Sequence, residues 1–262
     1  MLNIMKRKKV LFGGITLAIV TAVTLLFIGY PPFNANGFSF NKSKKIGFPG
    51  FGIWLPPDYE VHGIDVSRHQ GKINWESVSE HTSNDIDISF AFIKACEGRS
   101  VRDNYFQENW RLAKENNMLR GAYQFFRPHL TADEQFNLFK NIVKIQKEDL
   151  PPVLDIEMRG SCPPARLKKS VKRWLVLAEK HYGVKPILYT SYSFYRHYFS
   201  GPEFAQYPLW IAHYATDDLN RLTKKWNFWQ HNEDGHVKGI RGDVDFNVFK
   251  GDFHDLLDLC KK

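Results

Sequence analysis

The decapeptide PPVLDIEMRG, residues 151–160, places Asp155 and Glu157 one residue apart behind a short apolar run. In an extended strand, side chains two positions apart share a face. Their Cα atoms would then lie about 6–7 Å apart. Two carboxylates that close, in a partly desolvated cleft, resist joint ionisation, and one pKa rises. The raised carboxyl can act as a general acid near neutral pH while its neighbour stays ionised and steadies positive charge. Breaking a glycosidic bond needs that division of labour. A lone pair of acids can equally cap a loop or pair with lysines, so the reading depends on what lies elsewhere.

Two further acids occupy comparable places: Asp65 follows VHGI, and Asp245 lies within GDVDFN. The chain around them alternates. VHGIDVS, ISFAFIKA (88–95), LRGAYQFF (119–126), PPVLDIE (151–157) and KPILYT (185–190) read as strands. Between them, 103–117, 131–146 and 164–182 read as helices. Thr131 and Glu134 form a capping box, and Gly183 ends the last helix. Beyond 190, YPLWIAHYA, WNFWQHN and GDVDFNVF are strand-like with little helix between them.

Alternating units predict parallel strands with helices outside. The late strands lose their helices, so the expected fold is α/β: an irregular (β/α) barrel, TIM-barrel-like but not regularly eightfold. In such barrels the site lies at the C-terminal ends of the strands, and all four acids are expected there. Hard cations are rival partners for four carboxylates. No DxDxDG loop and no recurring His/Asp spacing occurs, so no metal and no cofactor is expected.

The formal charge is +8 over 262 residues. Seven of the basic residues lie before position 60; from 61 onward 29 basic and 26 acidic residues remain. That excess is too small and too scattered for a nucleic-acid face. Three cysteines, Cys96, Cys162 and Cys260, show no metal spacing and allow at most one disulfide.

KRKK at 6–9 precedes 21 uncharged residues, 10–30. That length crosses a hydrocarbon core of about 30 Å at about 1.5 Å per residue, and the basic cluster predicts a cytoplasmic N-terminus. The alternative is a long cleavable signal; either way the remaining chain is exported. The expected organisation is a cytoplasmic tail 1–9, a transmembrane anchor 10–30, a Pro/Gly/aromatic linker 31–58 and a catalytic domain 59–262. Parts of the linker carry aromatics able to pack on that domain.

Seven motifs occur in order over roughly 61–251: HGIDVSRHQGKINW, FAFIKACEG, GAYQFFRP, PVLDIE, LWIAHY, FWQH and GDVDFNVFKG. Together they closely resemble glycoside hydrolase family 25, the Chalaropsis-type lysozymes; each alone is weak, and the ordered set is specific. The resemblance implies an irregular barrel and hydrolysis of the β-1,4 bond between N-acetylmuramic acid and N-acetylglucosamine in peptidoglycan. It implies Glu157 as general acid, with Asp155 assisting at the reaction centre, either by stabilising an oxazolinium or more directly. Asp65 and Asp245 match the other two acids of the cleft.

Departures from the family's pattern are Cys96 for a usual Thr, His231 for a common Tyr, and Asn74, read as a helix cap, for a frequent Asp. Aromatic candidates for sugar contacts are Tyr123, Phe125, Tyr189, Trp210, Tyr214 and Trp229, with Trp210 and Trp229 equally readable as core. His62 and Gln70, beside the first acid, are as readily loop structure as catalytic groups. The expected partners are peptidoglycan strands and, through the N-terminal segment, the membrane; the expected state is a monomer. A non-catalytic wall-binding module and a chitin-type N-acetylglucosaminidase are the alternatives.

Overall fold

The computed structural model describes residues 46–262 apart from Pro57. The expected tail 1–9, the anchor 10–30 and the first part of the linker lie outside the described residues. No helix among the described residues is long and apolar enough to cross a membrane.

Eight strands close into a barrel: β1 (Val61–Val66), β2 (Ile86–Glu97), β3 (Leu119–Phe125), β4 (Val153–Asp155), β5 (Ile187–Ser191), β6 (Leu209–Ala212), β7 (Phe228–Gly235) and β8 (Val244–Phe249). Neighbours from β1 to β7 pair in parallel, while β8 runs antiparallel to both β7 and β1. The sequence reading of missing late helices has this consequence. A parallel step needs a crossover of a dozen residues or more, usually helical. Only residues 236–243 join β7 to β8, so they form a hairpin instead.

Four helices cover the outer face: α1 (Trp75–Ser79), α2 (Phe106–Glu115), α3 (Ala132–Ile142) and α4 (Pro164–Tyr182). Asn74 caps α1 by accepting from the Ser77 N–H, and Thr131 with Glu134 forms the expected capping box on α3. α4 buries Leu167, Val171, Trp174, Leu175, Ala178 and Tyr182, a stripe at helical spacing, and ends on Gly183 at φ 73°. α2 is shorter than the sequence pattern, because Asp103 and Tyr105 are used in the turn that enters it.

Strand alternation sorts the residues by height and face. Odd positions of β1 and β3, even positions of β2 and β6, and their counterparts point inward. Phe90, Phe92, Val153, Ile187 and Phe228 fill the floor of the barrel and pack as one buried cluster. Gly63 and Gly121 make room for it: a Cβ on either would lie 2.5 Å from the ring of Phe90 or Phe92. Above this apolar plug the inward positions turn polar, which creates the site.

Two points that the sequence left open are decided by the structure. The latter part of the linker packs on the domain, as its aromatics allowed: Ile46–Phe48 and Ile53–Leu55 form a hairpin, and Phe51 is fully buried against His81 and Phe246. The three cysteines, whose pairing the sequence left open, are free, buried thiols.

Candidate active site

A cavity of about 410 Å³ opens above the plug and is lined by all four acids, Asp65, Asp155, Glu157 and Asp245. Asp155 is the last residue of β4, and Glu157 lies just past the strand end. The link between them is held extended by β5. The Ile156 N–H donates to the Tyr189 carbonyl at 3.0 Å, and the Ile156 carbonyl accepts from Thr190 Oγ1 at 2.6 Å. Ile156 points outward into the core, so both acids face the cavity.

Asp245 reaches the same face by a different route from the one read in the sequence. It stands near the start, not the end, of β8. Because β8 is antiparallel, its beginning meets the C-terminal ends of the other strands, and Asp245 pairs in register with Asp65.

The polar layer beneath the cavity is a connected set of hydrogen bonds centred on Asp65. Its Oδ2 accepts from Gln230 Nε2 and from Asn247 Nδ2, both at 2.8 Å. Gln230 Oε1 accepts from the hydroxyls of Tyr189 and Tyr214, each at 2.7 Å. Asn247 Oδ1 accepts from Trp210 Nε1 at 2.8 Å. These bonds fix the orientation of both amides. The sequence reading missed Gln230 and Asn247. The available signal was strand alternation: Asn247 lies two positions after Asp245, and Gln230 two positions after Phe228.

Burial pushes Asp65 up to about 6 and Asp245 up to about 9; the charge of Asp65 raises Asp245 further, whereas the hydrogen bond between them lowers Asp65. The two amide donors favour the ionised form of Asp65. Asp245 has no such donors, so the proton they share resides on Asp245. Asp155 is also pushed well up, first by burial and then by the charge of Glu157. Its Oδ1 is buried without a hydrogen-bond partner. Burial raises Glu157 as well, while Lys94 and Arg127 pull it back down. The expected contrast, one acid raised and the other left ionised, is therefore not what the cleft has. Both are raised, and the buried Asp155 more strongly than the exposed Glu157.

Lys94, a third residue missed by the sequence reading, lines the cavity and bridges to Glu97 at 3.3 Å. Glu97 also accepts from Arg127 Nε at 3.0 Å. Both cations lie over the ring of Phe125, at 5.0 and 4.7 Å from its centroid.

Tyr123, Phe125, Tyr189, Trp210 and Tyr214 all line the cavity. Trp210 is nearly buried and stacks on Phe92 at 4.4 Å, so it forms the base of the cleft. Trp229 does not belong with them. Phe228 and Gln230 point inward, which turns Trp229 to the outer face, where it is buried beside Tyr59 and Trp226 and donates to the His213 carbonyl. His62 is likewise outward and buried, bonded to the Tyr59 carbonyl. Gln70 lines the cavity mouth and caps the Ser67 N–H. Among the described residues no group of three or more His, Cys, Asp or Glu could hold a metal ion.

The family profile described as Glycosyl hydrolases family 25 matches residues 64–240, a span that runs from β1 to the β7–β8 turn. The chain belongs to glycosyl hydrolase family 25. Lysozyme M1 of Streptomyces globisporus is 33% identical over 76% of this chain and 71% of its own length. The uncharacterised protein YegX of Escherichia coli K12 is 40% identical over 97% of this chain and 95% of its own. The crystal structure of the bacterial lysozyme from Streptomyces coelicolor superposes with a TM-score of 0.70 at 31% identity. It covers 78% of this chain and 98% of that one. The family 25 barrel with its four-acid cleft is thus the frame for this chain's chemistry.

Proposed function

We propose that this protein is an N-acetylmuramidase, a peptidoglycan hydrolase that cleaves the β-1,4 bond between N-acetylmuramic acid and N-acetylglucosamine. The carrying observation is the convergence of four acids in one cavity of a family 25 barrel. Glu157 is the general acid. It is exposed at the cleft, and its raised pKa keeps a proton available for the leaving oxygen.

Asp155 acts on the sugar that becomes positively charged. Asp155 lines the cavity, and the oxygen it turns toward that space accepts from the substrate's acetamido N–H. That hydrogen bond favours the carboxylate and lowers the raised pKa on binding. The ionised group then steadies an oxazolinium or the cation itself. Asp65 and its amide donors hold negative charge at the floor, and Asp245 carries the shared proton.

Tyr123, Tyr189 and Tyr214 present hydroxyls and ring edges to the sugars, Phe125 presents a face, and Trp210 supports the floor. The enzyme acts outside the cytoplasm, on the wall. The uncharged stretch 10–30 behind KRKK supports membrane anchoring with 59–262 as the catalytic unit.

The test is reducing-end release from purified peptidoglycan, with chitin oligomers alongside. Glu157→Gln keeps the fold and loses about 10²–10⁴ in kcat. Full activity in that variant removes Glu157 as the acid, and faster cleavage of chitin removes the muramidase assignment. Wild-type kcat falls as pH rises through the raised pKa of Glu157, because the acid must be protonated.

A further inference from the structure

Just past the acid pair in sequence, the chain lines a second cavity of about 370 Å³, which the hydrolytic step does not use. Arg127, His129, Arg159 and Arg166 line it, together with Met158 and the buried Cys162. No acidic side chain is among its lining residues. Only Arg127 is ion-paired, to Glu97. Arg159 donates to the Cys162 carbonyl at 2.7 Å, which bends the loop over the cavity and leaves its charge uncompensated. Arg166 stands in the first turn of α4.

That turn is built against its own helix. A helix start favours acids and a side-chain cap. α4 has no acidic residue in its first turn and no side-chain cap hydrogen bond, and Pro163 precedes it. The arginine therefore adds positive charge to an end that already carries some. Three guanidiniums and a helix end, all turned on one cavity, favour an anion with planar oxygens.

The cavity's place says which anion. Glu157 lines the catalytic cleft, and the next residue, Met158, lines this one. Arg127 serves both, since its charge acts on Glu157 and its Nη1 lies 3.7 Å from Met158 Sδ. In a muramidase the sugar held at the acid pair is the muramoyl residue. Its lactyl ether and peptide stem leave the same ring whose anomeric carbon is attacked. The stem therefore starts beside Glu157 and carries free carboxylates.

We propose that the Arg127–Arg159–Arg166 cavity binds the carboxylates of the peptide stem on the muramoyl residue being cleaved. This rests on the muramidase reading and adds a requirement to it: the enzyme selects glycan that still bears its peptides. Arg159 and Arg166 set specificity and do not touch the reacting atoms.

The test uses the full chain and three substrates: peptidoglycan, the same glycan stripped of stems by an amidase, and peptidoglycan whose stem carboxyls have been converted to amides. The wild type is expected to show a KM about tenfold lower on the first than on the other two. Arg159→Ala/Arg166→Ala abolishes that difference with kcat retained and leaves the rate on stripped glycan unchanged. Arg159→Gln and Arg166→Gln, singly, each remove part of it and serve if the double variant does not fold.

Equal KM on all three substrates in the wild type overturns the proposal. So does an equal loss on stripped and intact glycan in the variants. A wild type that opens none of the three overturns the muramidase reading itself.

Discussion

Asn247→Leu tests the claim that Asp65 is held ionised by its two amide donors. The leucine keeps the volume and removes both polar atoms. Asp65 Oδ2 loses one of its two 2.8 Å bonds, and the buried Trp210 Nε1 loses its acceptor. The orphaned indole N–H costs about 1–3 kcal/mol at every pH. The lost donor to Asp65 costs more when the acid is charged. A bond to a charged group contributes about 1.5–3 kcal/mol, against about 0.5–1.5 for a neutral one.

Destabilisation should therefore be larger by about 1–1.5 kcal/mol near pH 8 than near pH 4, equivalent to about one further unit of upward shift in Asp65. The sign follows from linkage. A carboxyl raised in the folded state gives up stability as pH rises through its folded value, and the variant raises that value again. Urea denaturation of wild type and variant at the two pH values measures the difference, and a carboxyl titration by NMR locates it. A pH-independent loss, or a larger one at acid pH, would refute the assigned charge state.

Other outcomes are equally specific. Asp155→Asn mimics the protonated form that burial favours at this acid. Because the folded pKa is raised well above its unfolded value, wild-type stability falls as pH rises between the two. The variant should have the higher melting temperature at neutral pH, no advantage below the unfolded value, and much reduced kcat. Asp149→Ala leaves the buried Arg120, paired at 2.8 Å and stacked on Trp110, without its counter-charge. A loss of about 3–5 kcal/mol in chemical denaturation is expected. Trp229→Phe should lower stability by leaving the His213 carbonyl without its donor, yet leave KM unchanged; a rise in KM would return Trp229 to the cleft.

The acids themselves were legible in the chain. Asp155 and Glu157 follow a short apolar run, and a two-residue period puts them on one side. The alternation of strand and helix up to residue 190 gave the barrel, and the loss of helices afterwards gave its irregularity. The ordered motifs around Asp65 and Asp245 carried the family.

The direction of β8 was not legible in its own alternation, because antiparallel and parallel strands alternate alike. The short connection 236–243 reverses it, and closure onto β1 then sets Asp245 against Asp65. The same holds for Trp229 and Gln230, adjacent in sequence yet on opposite faces once β7 takes its register. Charge states are a tertiary property too. Asp155 and Glu157 have similar sequence surroundings, but one is sealed without a donor and the other opens to solvent near Lys94 and Arg127. Residue types and spacing set which groups could react; burial and the partners that folding brings alongside set which of them hold a proton.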